Sequence, residues 1–171
     1  GERDAAQALM AGDIDAAFIW DPVLTKIQGN GKAIATSGSI GAKGHPTFDG
    51  LIVNAKWAAD NEAFMVELVK QLAKADADYR ANAAKWTADS PREKAGANGA
   101  EAGAKDVPAA MALYKFPTLA EQASPTWLGG GAAKAMAETA TFLKEQGRVQ
   151  DVKSSYAPFV TDVYVKKAMA K

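Results

Sequence analysis

The chain contains no cysteine and a single histidine, His45. The first absence removes disulfides, thiolate nucleophiles, iron–sulfur clusters and cysteine zinc sites. The second removes every motif that needs paired histidines, HExxH among them. An excess of one charge is also missing: 20 basic residues stand against 20 acidic ones. Proteins that live on phosphate backbones or anionic lipid carry a basic surplus, so no nucleic-acid partner is expected. No apolar run approaches the roughly 18–20 residues that cross a bilayer. The longest, Ala16 to Trp20, is strand-sized, and stable membrane insertion is not expected. The start, Gly1-Glu2-Arg3-Asp4, is polar and shows no hydrophobic region of a signal peptide. No metal site and no cofactor is indicated.

What is present is enough for one ordinary globular domain: 171 residues, of which 48% are hydrophobic. Alanine, the best helix former, fills 38 positions, which weights the whole chain toward helix. Asp4 to Ala11 reads as a helix with Gly12 as the residue that closes it. Ile14 to Trp20 then switches to an apolar run that reads as a buried strand. Asp21-Pro22 offers an N-cap followed by proline in the first helical turn, so a helix is expected to about Gln28, stopped by Gly29-Asn30-Gly31. Lys32 to Thr36 reads as a second short strand. This alternation is the grammar of an α/β fold with parallel strands.

Ser37 to Pro46 reads as a loop, and Thr47 to Asn54 as a third strand centred on Leu51, Ile52 and Val53. From there the pattern is helical. Asn61 to Ala88 carries Phe64, Leu68, Leu72, Ala75, Tyr79 and Trp86 near helical spacing. Arg92 to Lys105 is almost all alanine, glycine and charge, without an apolar anchor; Asp106 is placed to cap a restart at Val107-Pro108. Ala132 to Gln146 reads as a helix with Met136, Ala140 and Leu143 on one face and Gly147 as its C-cap, and Phe159 to Met169 as a last amphipathic segment. Three short strands make a poor sheet on their own, so the chain reads as the back part of something larger.

Several residues could carry chemistry. Trp20 and Asp21 fall where a strand would end and a helix begin, the position at which open α/β sheets hold ligands. Trp20 could equally be the last core residue of its strand, and Asp21 a plain N-cap. Asp49 would sit in an apolar strand between Phe48 and Leu51, where a carboxylate is costly unless paired, and an ammonium group would pair it. The alternative is a turn aspartate before Gly50. Thr47, close by, could donate its hydroxyl. His45, alone in a Gly/Pro loop, reads as solvated. Gly129-Gly130-Gly131 could offer free N–H groups to an anion but lacks the Lys-Ser/Thr of a phosphate loop, and Gly29-Asn30-Gly31-Lys32 fails the same spacing.

The stretch Gly12-Asp13-Ile14-Asp15-Ala16-Ala17-Phe18-Ile19-Trp20-Asp21-Pro22 resembles the taurine-binding substrate-binding proteins of ABC importers, within the wider sulfonate, nitrate and pyrimidine-precursor group. The resemblance continues at Gly44-His45-Pro46-Thr47-Phe48-Asp49-Gly50-Leu51-Ile52-Val53, at Glu121 to Pro125 with Leu128 to Gly131, at Thr141 to Val149 and at Tyr156 to Thr161. It implies the C-terminal part of a periplasmic-binding-protein type 2 fold. Residues 1–46 would be part of lobe two, 47–54 a hinge crossing strand and 55–171 the helices of lobe one. It implies no catalysis but capture of taurine or a related alkanesulfonate in a cleft, delivery to an ABC permease and a periplasmic location. The matching Asp49 would take the ligand's amine, beside Trp20, Asp21 and Thr47. A nitrate or pyrimidine-precursor binder is an alternative, as is a thiamine-precursor synthase-like enzyme, although such enzymes use histidine and iron and His45 is alone. A helical interaction module that lost its ligand is a third. At Arg92 to Lys105 the family places isoleucine and leucine where this chain has alanine and glycine. With three bare-edged strands, residues 1–171 alone are expected to self-associate or to leave apolar surface exposed, and to bind no taurine at micromolar levels.

Overall fold

In the computed structural model the described residues are 2–21, 23–86 and 107–170. The reading of Arg92 to Lys105 and the Asp106 cap lie outside them. The chain divides into two units: Gly1–Thr36 with Tyr79–Lys115, and Ser37–Asp78 with Phe116–Lys171.

The first unit opens with α1 (Glu2–Ala11) and α2 (Val23–Ile27), which runs into a 3-10 turn, Gln28–Asn30. Gly12 closes α1 as read: its φ is +80°, its N–H bonds Leu9 O at 3.2 Å, and Asp13 N–H bonds Ala8 O at 2.9 Å. This paired closure uses a left-handed residue that only glycine adopts without strain. Ala6, Val23 and Ile27 are buried together, with Leu9 and Ile19 packed against them. The α1–α2 pair is thus held by an apolar contact one or two side chains deep. Further along, the 3-10 turn Ala83–Lys85 ends the helix arriving from residue 62, and Tyr79 meets Trp86 edge-on at 5.3 Å. A short helix, α6 (Val107–Met111), follows.

The second unit holds α3 (Ser37–Gly41), α4 (Ala55–Asp60) and most of α5 (Glu62–Asn82). Its later part is α7 (Leu119–Gln122), α8 (Gly131–Glu145), a 3-10 turn at Ala157–Phe159 and α9 (Val163–Met169). Asn54 starts α4 by accepting a hydrogen bond from Trp57 N–H at 2.9 Å. Thr118 and Glu121 form a capping box at α7: each side chain satisfies the other's backbone N–H. Gly147, φ +67°, closes α8 as read, and Arg148 N–H reaches Leu143 O at 2.8 Å. The buried positions are Ala58, Met65, Ala132, Ala135 and Val165. α7 packs on α9, α8 on the 3-10 turn, and the side chains of Glu62 and Lys167 pair across 105 residues of sequence.

The expected α/β architecture is not there: among the described residues there is no strand and no sheet. The periplasmic-binding-protein type 2 arrangement expected over these residues falls with it. The three segments read as strands are extended, but they do not pair. Among the described residues no backbone hydrogen bond is found that joins one to another. Their apolar side chains face outward, with Phe18 79%, Ile34 89% and Ile52 96% exposed. A strand exists only through its neighbour's carbonyls and amides, so an apolar run of strand length without a partner stays extended chain. The same lack of a covering layer alters α5. Phe64 and Leu72, which recur at helical spacing, are exposed, and the buried residue is the adjacent Met65. Ser37 to Gly41, read as loop, forms the short α3. The apolar surface expected to be left open is present in these segments.

Candidate functional site

The four candidate residues fall into two pairs, one in each unit. Trp20 and Asp21 precede α2. Trp20 is half-exposed, at 54%, and its carbonyl accepts Leu24 N–H at 3.0 Å. Asp21 acts as the cap foreseen: its Oδ1 accepts Thr25 N–H at 2.9 Å and also the Thr25 hydroxyl. Its other oxygen, Oδ2, is closed off from solvent and takes no hydrogen bond among the described residues. A buried acceptor left unpaired costs roughly 1–3 kcal/mol, which a donor delivered to it would recover. The contact to α2 therefore uses one oxygen of the carboxylate and leaves the other uncommitted.

Thr47 and Asp49 lie in the extended segment between α3 and α4, and both are exposed. Asp49 has no hydrogen-bond or ion-pair partner among the described residues. The carboxylate is not buried between Phe48 and Leu51, which are themselves 41% and 63% exposed. What remains of the physical argument is a free carboxylate beside a hydroxyl and an aromatic ring. His45, just before it, is exposed and stands 3.6 Å from Glu138 on α8.

The glycine run is a structural closure. Gly129 N–H donates to Ser124 O at 3.0 Å, Gly130 N–H to Trp127 O at 3.2 Å and Gly131 N–H to Pro125 O at 2.8 Å. All three amides are spent inside the turn, so none is offered to an anion. The glycines are needed for close approach: a Cβ on Gly131 would lie 1.9 Å from Thr126 O, and one on Gly129 2.8 Å from Ser124 O.

Beside this turn is a feature that sequence reasoning missed, an open cleft of about 270 Å³ between Leu128, Gly129, Gly130 and Ala133 on one side and Val160, Thr161 and Asp162 on the other. Asp162 is bound there to Lys166, one helical turn on, at 2.7 Å. The signal in the sequence was the pair of motif stretches at Leu128 to Gly131 and Tyr156 to Thr161, which meet only through tertiary packing. Among the described residues no helix is long and apolar enough to cross a membrane.

The chain is homologous to the taurine-binding periplasmic protein of Escherichia coli (strain K12), with which it is 31% identical over 161 residues. The match covers 93% of the chain and 49% of that protein, so the chain spans about half the length of the relative. The resemblance read from the motifs is borne out at this level. No family model matches the chain.

Proposed function

We propose that the chain forms part of a solute-binding protein that captures taurine, or a closely related aminoalkanesulfonate, in the periplasm and passes it to an ABC permease. The observation that carries this reading is the 31% identity spread over nearly all of the chain to a protein of that name. The chemistry of the residues agrees with the amine half of such a ligand. Asp49 is a carboxylate free to accept an ammonium, since no cation of the chain occupies it among the described residues. Thr47 adds a hydroxyl two residues away. Trp20 offers an aromatic face of the kind that receives cations and excludes water, and Asp21 keeps one oxygen uncommitted. Binding, not catalysis, is the proposed role, in keeping with a relative that is named as a binding protein.

The test is calorimetric titration of a chimera in which residues 1–171 replace the matched half of the Escherichia coli relative, with folding checked by circular dichroism. Taurine, a plain alkanesulfonate and nitrate are titrated in turn. The reading expects taurine to bind more tightly than the alkanesulfonate. Tighter binding of nitrate, or equal binding of taurine and the amine-free sulfonate by a folded chimera, would overturn it.

A further inference from the structure

We infer that Asn30–Gly31 is a site of spontaneous covalent modification, at which the Gly31 backbone nitrogen attacks the Asn30 side-chain amide. The tripeptide Gly29-Asn30-Gly31, which has no part in the proposed binding site, closes the 3-10 turn after α2. The Asn30 side chain is exposed and makes no hydrogen bond among the described residues. The attacking nitrogen is equally free. The 3-10 turns at Ala83–Lys85 and Ala157–Phe159 close with Trp86 N–H on Ala83 O at 3.0 Å and Val160 N–H on Ala157 O at 3.2 Å. Gly31 makes no such bond. It is extended, at φ −161° and ψ 176°, and a Cβ built on it would meet nothing within 4 Å. The electrophile and the nucleophile are adjacent, unshielded and tied to nothing else.

The step balances without any outside oxidant or cofactor. The Gly31 nitrogen loses its proton and forms a bond to Asn30 Cγ. The bond from Cγ to the amide nitrogen breaks, and ammonia leaves with that proton. Water then opens the five-membered imide at either carbonyl. One opening gives aspartate at position 30; the other gives isoaspartate, which routes the backbone through the former side chain. Either product adds one negative charge to a chain whose 20 basic and 20 acidic residues cancel. The isoaspartate form also lengthens the backbone by one carbon where the turn ends. Asn54 and Asn61 are internal controls. Asn54 accepts Trp57 N–H at 2.9 Å, Asn61 donates to Trp57 O at 2.9 Å, and each is followed by a residue with a Cβ, Ala55 and Glu62.

The experiment is peptide mapping of the purified chain after timed incubation at mildly acid and mildly alkaline pH. Trypsin releases Asn30 in the peptide Ile27 to Lys32, apart from the other Asn–Gly pair, Asn98–Gly99, which lies outside the described residues. The expected result is conversion of that peptide to two isomers of the acid form, faster at alkaline pH, while Asn54 and Asn61 persist. Gly31→Ala, which has open space for its methyl group, should lower conversion at position 30 to their level without changing the circular dichroism. An unmodified peptide, or an undiminished rate in Gly31→Ala, would overturn the proposal. So would much faster conversion of Asn30 in urea, because the fold would then be shielding it.

Discussion

Two glycine-bearing stretches of the second unit behave in opposite ways. From Thr118 to Ala132 nearly every amide is committed: Gln122, Ala123, Ser124, Trp127, Leu128 and the three glycines all donate to carbonyls of the same turn. From Pro46 to Val53 no backbone hydrogen bond is made among the described residues, although Leu51, Ile52 and Val53 have the higher strand propensity. The difference is one of range. The first stretch meets its needs within fifteen residues, so its geometry is determined locally. The second could be satisfied only by a distant partner, and propensity does not supply one.

The largest test of this contrast is steric. Gly131→Ala would place a methyl group 1.9 Å from Thr126 O and must open the turn. A loss of more than about 3 kcal/mol is expected in urea unfolding. Near-wild-type stability would mean that the turn is far more yielding than its hydrogen bonds suggest.

Next in size is a binding effect in the unpaired stretch. In the chimera, Asp49→Asn should weaken an aminosulfonate relative to a plain alkanesulfonate by about ten- to a hundredfold, the loss of one charge-assisted bond worth roughly 1.5–3 kcal/mol. Equal weakening of both ligands would make Asp49 structural and bring the two stretches closer in kind.

A smaller effect belongs to the cap. Thr118→Ala removes one half of the box at α7 and should cost about 1 kcal/mol, measured by thermal or urea unfolding. The smallest belongs to Gly50 and Ile52. A methyl group on Gly50 meets nothing within 4 Å, and Ile52 is 96% exposed. Gly50→Ala and Ile52→Thr should each shift stability by less than about 0.5 kcal/mol. A drop of several kcal/mol in either variant would show that a partner covers this segment in solution, and the comparison would collapse.

The same distinction decides what could be read from the sequence. Gly12 and Gly147 were legible because a helix end needs a left-handed residue at one place, and glycine supplies it. Asp21 was legible as a cap because its partner, Thr25, is four residues away. The Thr118…Glu121 box was equally legible and went unread. The sheet was misread because Ile14 to Trp20, Lys32 to Thr36 and Thr47 to Asn54 state a preference that only a neighbouring strand can realise. The apolar spacing of α5 behaves likewise, since Phe64 and Leu72 can be buried only by a layer that faces them. In the candidate site, the types of side chain were legible and their burial was not. Asp49 was argued from an enclosed strand, and it stands in the open. The cleft beside the glycine turn depends on two stretches some thirty residues apart meeting, and no local pattern announces it.

The pairing of Glu62 with Lys167 has a consequence for the order in which the molecule is made. The helix carrying Glu62 leaves the ribosome 105 residues ahead of its partner. At synthesis rates of about 5–20 residues per second that is an interval of roughly five to twenty seconds, while α-helices themselves form in about a microsecond. Within that interval the first helix can form and melt many times before its partner arrives. The contact can appear only once Lys167 has followed Glu62 out, so it forms after the helix does and not at the start of folding.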